Sequence, residues 1–146
     1  MPRFDFRLQR YLSVKEQIED QKEIEYATSL RQVEEEKARL AELEQTKDRT
    51  VEDLRKSVKK SIAPIEIRRY NNNIEKLKHM IMVQKERLET AKIYAEEKRL
   101  ELVEAMKERK AIEIVRENAY EEYVIQEDRI TRRTTDELIS YKHATK

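Results

Sequence analysis

The stretch Tyr70-Asn71-Asn72-Asn73-Ile74-Glu75-Lys76-Leu77-Lys78-His79-Met80-Ile81-Met82-Val83-Gln84-Lys85-Glu86-Arg87-Leu88 places an apolar residue alternately four and three positions on, at Tyr70, Ile74, Leu77, Ile81 and Leu88, with only Gln84 polar. Continued in the same steps, the series runs through Ala91, Ala95, Lys98, Leu102, Ala105, Arg109, Ile112, Arg116, Ala119, Tyr123, Gln126 and Ile130, and thirteen of its eighteen positions are apolar. A 3.5-residue repeat kept over this many turns is the pattern of a helix that packs one stripe against a partner helix. The same steps in the first half give Tyr26, Leu30, Val33, Lys37, Leu40, Glu44, Lys47, Val51, Leu54 and Val58, seven of ten apolar. Further back, Phe4, Leu8, Tyr11, Lys15, Ile18 and Lys22 continue the stripe, joined to Tyr26 by one extra step of four, a stutter.

Between the two series lies Ser57-Val58-Lys59-Lys60-Ser61-Ile62-Ala63-Pro64. Proline has no N–H and a fixed φ, so it suits the first turn of a helix and not an interior. Ser61 is the expected N-cap of the second helix. The reading is an all-α chain forming a single antiparallel coiled-coil hairpin over 1–146, with helix 1 at about 4–59, a turn at about 60–64 and helix 2 at about 65–141. The expected seam includes Leu30, Val33, Leu40, Val51, Leu54, Val58, Ile81, Leu88, Leu102, Ile112, Tyr123 and Ile130. A hairpin centred on residue 64 pairs positions that sum to 128, so that Glu44 faces Gln84; a sum shifted by seven matches as well. Residue 4 then meets residue 124, and at ~1.5 Å per residue the C-terminal helix overhangs by about 30 Å on a rod of roughly 90 Å.

Composition agrees. The 146 residues contain no Gly and no Cys and only two Pro, which leaves little for tight turns and nothing for disulfides or zinc–thiolate sites. Charged residues make up 43% against 38% apolar, yet 32 basic and 31 acidic side chains leave a net charge of only +1. Their short-range alternation, as in Glu96-Glu97-Lys98-Arg99, suits a solvated helix with many i,i+4 pairs and does not make the one-sided field a nucleic acid needs. No run approaches the ~20 apolar residues of a membrane span, and the N-terminus lacks an apolar signal core. The expectation is a cytoplasmic protein without nucleic-acid, metal or cofactor chemistry.

No catalytic group of residues is evident. His79 and His143 stand far apart without Cys, and no Gly-rich phosphate loop is present. Three local features rise above the coiled-coil pattern. Phe4 and Phe6 sit beside Arg7, Arg10 and Tyr11, either closing the open end against Tyr120 and Tyr123 or docking into a partner. Arg129, Arg132 and Arg133 lie within about one turn, either a solvated face or a guanidinium cluster aimed at partner carboxylates or carbonyls. Residues 52–78 carry eight Lys/Arg and four Asp/Glu, making the turn end basic, and at least one of Arg68 and Arg69 must be exposed there.

The opening Phe4-Asp5-Phe6-Arg7-Leu8-Gln9-Arg10-Tyr11-Leu12-Ser13-Val14-Lys15 resembles the start of the flagellar export protein FliJ family. Ile67-Arg68-Arg69-Tyr70 with Ile74, Leu77 and Ile81 resembles that family's Met-Arg-x-Tyr segment after the turn, and Glu127-Asp128 and Asp136-Glu137 fall where it carries paired acids. Related sequences often place Phe three residues after the Tyr; here that residue is Asn73. The resemblance implies a non-enzymatic stalk and adaptor of flagellar type III protein export, monomeric when isolated and tied to the inner membrane only through partners. Those partners would be the hexameric export ATPase, the export gate's cytoplasmic domain and export chaperones. It implies that Phe4, Phe6, Arg7, Arg10, Arg129, Arg132 and Arg133 face the ATPase. It implies that Arg68, Arg69, Tyr70, Ile74 and Leu77 face the gate, which conflicts with a seam role for the last three unless the tip splays. The alternatives are the equivalent stalk of an injectisome and a structural coiled coil that self-associates through Val103, Met106, Val115 and Val124.

Overall fold

The computed structural model describes residues 3–145. Among these, the secondary structure is two helices, α1 (Gln9–Lys59) and α2 (Pro64–Ala144), of 51 and 81 residues. They pack antiparallel as two compact units, one of Met1–Gln21 with Val103–Lys146 and one of Lys22–Leu102.

The stripe read on α2 is the packed one. From Tyr70 to Ile112 every position of the series is buried or half-buried, and so are Ala119 and Tyr123; Arg116, Gln126 and Ile130 are exposed. Helix α1 is different at every second position. Its packed residues are Leu12, Lys15, Glu19, Lys22, Tyr26, Ser29, Val33, Glu36, Leu40, Leu43, Lys47, Thr50, Leu54 and Ser57, in unbroken steps of three and four. Tyr26, Val33, Leu40, Lys47 and Leu54 are as expected. Between them, Ser29 replaces Leu30, Glu36 replaces Lys37, Leu43 replaces Glu44, and Ser57 replaces Val58; Thr50 and Val51 are both half-buried. Leu30 and Val58 are 45% and 52% exposed, and Ile130 is 56% exposed, so these three are not seam residues. No stutter is needed, because Leu12 and Glu19 hold the stripe in place of Tyr11 and Ile18.

Small and polar residues can occupy the seam because they are satisfied there. Ser29 is the most buried side chain, and its hydroxyl donates to the Tyr26 carbonyl at 2.6 Å within its own helix. The Gln84 amide donates to the Glu36 carbonyl at 3.1 Å and also to the Glu36 carboxylate. No buried side-chain nitrogen or oxygen among the described residues lacks a hydrogen-bond partner, so no desolvation penalty is left uncompensated.

Contacts between the helices fix the register. Lys15–Glu108, Lys22–Glu101 and Glu25–Lys98 join numbers that sum to 123, and the Phe4–Tyr120 ring contact sums to 124. The longer reaches of Glu36 to Gln84 and Glu19 to Arg109 fall on either side of this value. At 124, every packed position of α1 from Leu12 to Ser57 meets a packed position of α2. The sum of 128 is therefore corrected by about one helical turn, and Gln84 meets Glu36 instead of Glu44. The cause is the turn, which lies between Lys59 and Pro64 and so is centred near 61–62.

In the turn, Ser61 takes the left-handed conformation at φ 69. It ends α1, with Lys60 N donating to Ser57 O at 3.1 Å and Ser61 N to Val58 O at 3.2 Å. Ser61 is thus a residue of the α1 C-terminus and not the N-cap of α2, a place taken by Ala63, whose carbonyl accepts from Glu66 N at 3.0 Å and Ile67 N at 3.3 Å. Pro64 begins α2, where its missing N–H costs nothing. At the other terminus α1 starts at Gln9 and not near residue 4. Residues 3–8 before it are non-helical, which lets Phe4 turn onto Tyr120 and Tyr123.

Two outcomes are expected. Leu54→Asp and Leu43→Asp each destabilise the Lys22–Leu102 unit by roughly 2–4 kcal/mol, whereas Leu30→Asp leaves the circular-dichroism melt within a degree or two. A strong loss from Leu30→Asp would restore the earlier register. Ser61→Gly removes a Cβ from a left-handed position and is expected to stabilise by about 1 kcal/mol, read as a raised urea midpoint; a lowered midpoint would show that the hydroxyl matters more than the backbone.

Candidate interaction surfaces

Phe6 is buried and Phe4 half-buried. The Phe4 ring lies 5.2 Å edge-on from Tyr120 and 5.3 Å from Tyr123, with the Arg116 guanidinium 5.9 Å away. The two phenylalanines therefore close the hairpin and are not free anchors. Arg7 and Arg10 beside them are exposed.

Within the same unit, α2 continues past this aromatic closure. Residues 128–145 are all exposed, and no residue of α1 covers them. Arg129, Arg132 and Arg133 line a shallow concavity with Asp136, Glu137 and Ser140. Arg132 pairs with Asp128 at 3.4 Å, while among the described residues Arg129, Arg133, Asp136 and Glu137 have no ionic partner. The three guanidinium groups thus line one concavity, on helix surface open to solvent.

The residues expected at the tip divide. Ile74 and Leu77 are 8% and 7% exposed and belong to the seam, and Tyr70 is half-buried there. Arg68 and Arg69 are both exposed, and Arg69 shares an open groove with Glu66, Tyr70 and Asn73. Of the residues expected at the tip, Arg68 and Arg69 are open to solvent and Tyr70 is partly so, whereas Ile74 and Leu77 are not.

A fourth feature is ionic: Lys15, Lys22, Lys98 and Arg109 stand on the expected stripe, but Glu19 and the pairing among them do not enter that reading. Three successive packed positions of α1, Lys15, Glu19 and Lys22, are charged, and so are Lys98 and Arg109 on α2. Around Lys98, Lys22 reaches Glu101 at 3.2 Å, Lys98 reaches Glu101 at 3.2 Å and Glu25 at 3.6 Å. Around Arg109, the guanidinium pairs with Glu19 and, at 2.8 Å, with Glu113. Hydrogen bonds from Lys98 and Lys22 hold the Glu101 carboxyl below its usual range, and hydrogen bonds to Glu101 raise both ammonium groups. The hydrogen bond to Glu19 raises Arg109. Of Lys15, Glu19, Lys22, Lys98 and Arg109, only Glu19 is displaced in the sequence reading, because the apolar Ile18 lies one position before it and draws the stripe onto itself.

Among the described residues no three His, Asp or Glu side chains form a group able to hold a metal ion, and no helix is long and apolar enough to cross a membrane. The arrangement is two helices sealed by one seam, with charged groups left unpaired at particular places.

Fold and surfaces thus define a helical-hairpin interaction protein. The chain belongs to the flagellar FliJ protein family, which matches residues 4–146, and with that family to the flagellar type III export machinery, whose FliJ component is a structural and export protein. Among solved structures it is similar to CT670 from Chlamydia trachomatis, described as a YscO homologue, with a TM-score of 0.59 at 20% identity over 97% of this chain and 96% of that one. At that identity the likeness concerns the fold. Among curated proteins none matches the chain.

The ionic stretch predicts a pH profile. Glu101 is depressed, so its contribution is present above the ordinary carboxylate range and is lost as pH falls through its folded pKa; the raised Lys22 and Lys98 contribute below the ordinary lysine range and lose it as pH rises through theirs. The expected result is a stability plateau near neutrality, with a fall below pH ~4 that Glu101→Gln flattens. A wild-type acid limb unchanged in Glu101→Gln would remove this network as its cause.

Proposed function

We propose that this chain is the non-enzymatic stalk and adaptor of a flagellar type III export apparatus, linking the hexameric export ATPase to the export gate and assisting chaperones and their cargo. The observation that carries the reading is the uncovered helix 128–145, whose Arg129 and Arg133 have no ionic partner among the described residues. An arginine held on a rigid helix, already paid for in ordering and free of an internal carboxylate, is suited to bidentate recognition of carboxylates or carbonyls on a partner. The ATPase-facing set becomes Arg7, Arg10, Arg129, Arg132 and Arg133. Phe4 and Phe6 act through it by holding the hairpin closed. Arg68, Arg69 and Tyr70 are the gate-facing set.

An injectisome stalk would share this fold, and the family match favours the flagellar version. Self-association has support from Met106, Val115 and Val124, all exposed, but Val103 is half-buried and breaks the stripe. Sedimentation that stays at 17.7 kDa across concentration would exclude it.

The test is ATP hydrolysis by a flagellar export ATPase at limiting concentration, with and without this protein. Wild type is expected to raise turnover. Arg129→Ala, Arg132→Ala and Arg133→Ala together are expected to remove most of the stimulation while shifting Tm by no more than a degree or two, since exposed charges contribute little to stability. Full stimulation by the triple variant would sink the assignment of this surface. No stimulation by wild type, with no complex on gel filtration, would sink the partner.

A further inference from the structure

We propose that the hairpin turn docks end-on, and directly, onto an anionic phospholipid surface. This goes beyond the stalk reading, in which membrane association passes through partner proteins. It rests on where the charge of the chain collects. The fifteen residues 55–69 hold six basic side chains, Arg55, Lys56, Lys59, Lys60, Arg68 and Arg69, against the single acid Glu66. That is a net +5 in a chain whose total is +1, so the remaining 131 residues together carry −4. Elsewhere in the Lys22–Leu102 unit acids are interleaved with the bases and several pair with them, as Lys37 with Glu34, Arg39 with Glu36 and Arg99 with Glu96; among the described residues of 55–69 the ion pair is Arg55–Glu52, at 3.8 Å.

Placement matters as much as number. Lys56 and Lys59 share one face of the last turn of α1, and Lys60 follows in the turn just past its end; Ile65, Arg68 and Arg69 share one face of α2 at i, i+3 and i+4. Both faces lie away from the seam, which passes through Leu54, Ser57, Ile67 and Tyr70. The two basic faces therefore look outward on opposite flanks of the helix pair. A folded acidic partner could engage both only by wrapping around the tip. A plane of headgroups meets both at once when the turn points into it.

The apex supplies the second half of the chemistry. Val58 and Ile65 are 52% and 62% exposed, and Ile62 lies half-buried in the turn between them. Exposed aliphatic residues ringed by lysine and arginine match an interface where apolar side chains enter the headgroup boundary while long basic chains reach anionic phosphates. The groove of Glu66, Arg69, Tyr70 and Asn73 is shallow and open.

The test uses the full-length protein and sedimented vesicles of phosphatidylcholine alone or with about 30% phosphatidylglycerol. Binding to the anionic vesicles is expected, at least about tenfold above the neutral ones, and is expected to be lost as salt rises from about 0.05 to about 0.5 M. The variant Lys56→Glu, Lys59→Glu, Lys60→Glu should lose it about tenfold with an unchanged circular-dichroism melt. Arg129→Ala, Arg132→Ala, Arg133→Ala should keep it, which separates this surface from the one tested by ATPase stimulation. Equal binding to both vesicle types would overturn the proposal, as would undiminished binding by the tip variant. Absence of lipid binding, with capture of an export-gate cytoplasmic domain that the tip variant loses, would assign the basic turn to an acidic protein instead.

Discussion

One seam between two antiparallel helices is the constraint on which every other feature depends. The chain has no Gly, no Cys and a net charge near zero, so neither crosslinks nor tight loops organise it. Side chains at steps of three and four do, and their apolar members are few. Beyond Val33, Ile74, Leu77, Ile81, Ala95 and Ala105, most packed positions are half-buried or polar. A two-helix pair can bury only one stripe of each helix, and most of its surface stays wet. Stability then comes from length, and uniqueness from the polar positions within the stripe. Glu36 with Gln84 and Glu19 with Arg109 make demands on register that a uniform run of leucines would not.

The ionic stretch around Lys15, Glu19, Lys22, Lys98 and Arg109 shows how far this goes. Three consecutive seam positions of α1 give up apolar burial altogether. Their charges are partly exposed, where an isolated pair is worth little, but several of them serve two partners, as Glu101 serves Lys22 and Lys98 and Arg109 serves Glu19 and Glu113. Small residues on α2, Ala95 and Ala105, pack in the same region and leave room for the long side chains. Such a segment specifies alignment more than it adds strength, and it is the part of the seam most exposed to salt and pH.

How much of this could be read beforehand differed between the helices for a physical reason. In α2 the apolar residues and the packed residues coincide from Tyr70 to Ile112, so periodicity alone found the stripe, including its polar members Gln84, Lys98 and Arg109. In α1 the two sets part company. Leu30 and Val58 are apolar residues on the flank, while Ser29, Glu36 and Ser57 are polar residues in the seam, and a rule that follows hydrophobicity prefers the flank. Leu12 and Leu43 were the visible evidence for the alternative frame. The register error followed from the turn: with Ser61 accepting a left-handed backbone, α1 and α2 needed fewer residues between their facing positions than a centre at Pro64 implied. At the candidate surfaces, the sequence required at least one of Arg68 and Arg69 to be exposed, because adjacent residues of a helix cannot both face one seam, and both are; Arg129, Arg132 and Arg133 are exposed as well. The engagement of Phe4 with Tyr120 and Tyr123 was legible only as one of two choices, since an aromatic ring closes a hairpin and anchors a partner with the same chemistry.

The division between seam and surface also explains how one simple fold can carry several contacts without their interfering. Seam residues are committed: Ile74 and Leu77 cannot serve a partner without separating the helices, at the cost of exposing the most buried part of the Lys22–Leu102 unit. The outward faces are free of that duty, and there the sequence can collect charge without loss of stability. It has done so unevenly. Lys56, Lys59, Lys60, Arg68 and Arg69 gather near the turn almost without acids, while Arg129, Arg132 and Arg133 stand among Asp128, Asp136 and Glu137 on an uncovered helix. The first arrangement is a field, effective against any dense array of negative charge. The second is a pattern, in which basic and acidic groups alternate and a partner must match both. A surface that must find a membrane needs only the first, whereas one that must fit a particular protein needs the second.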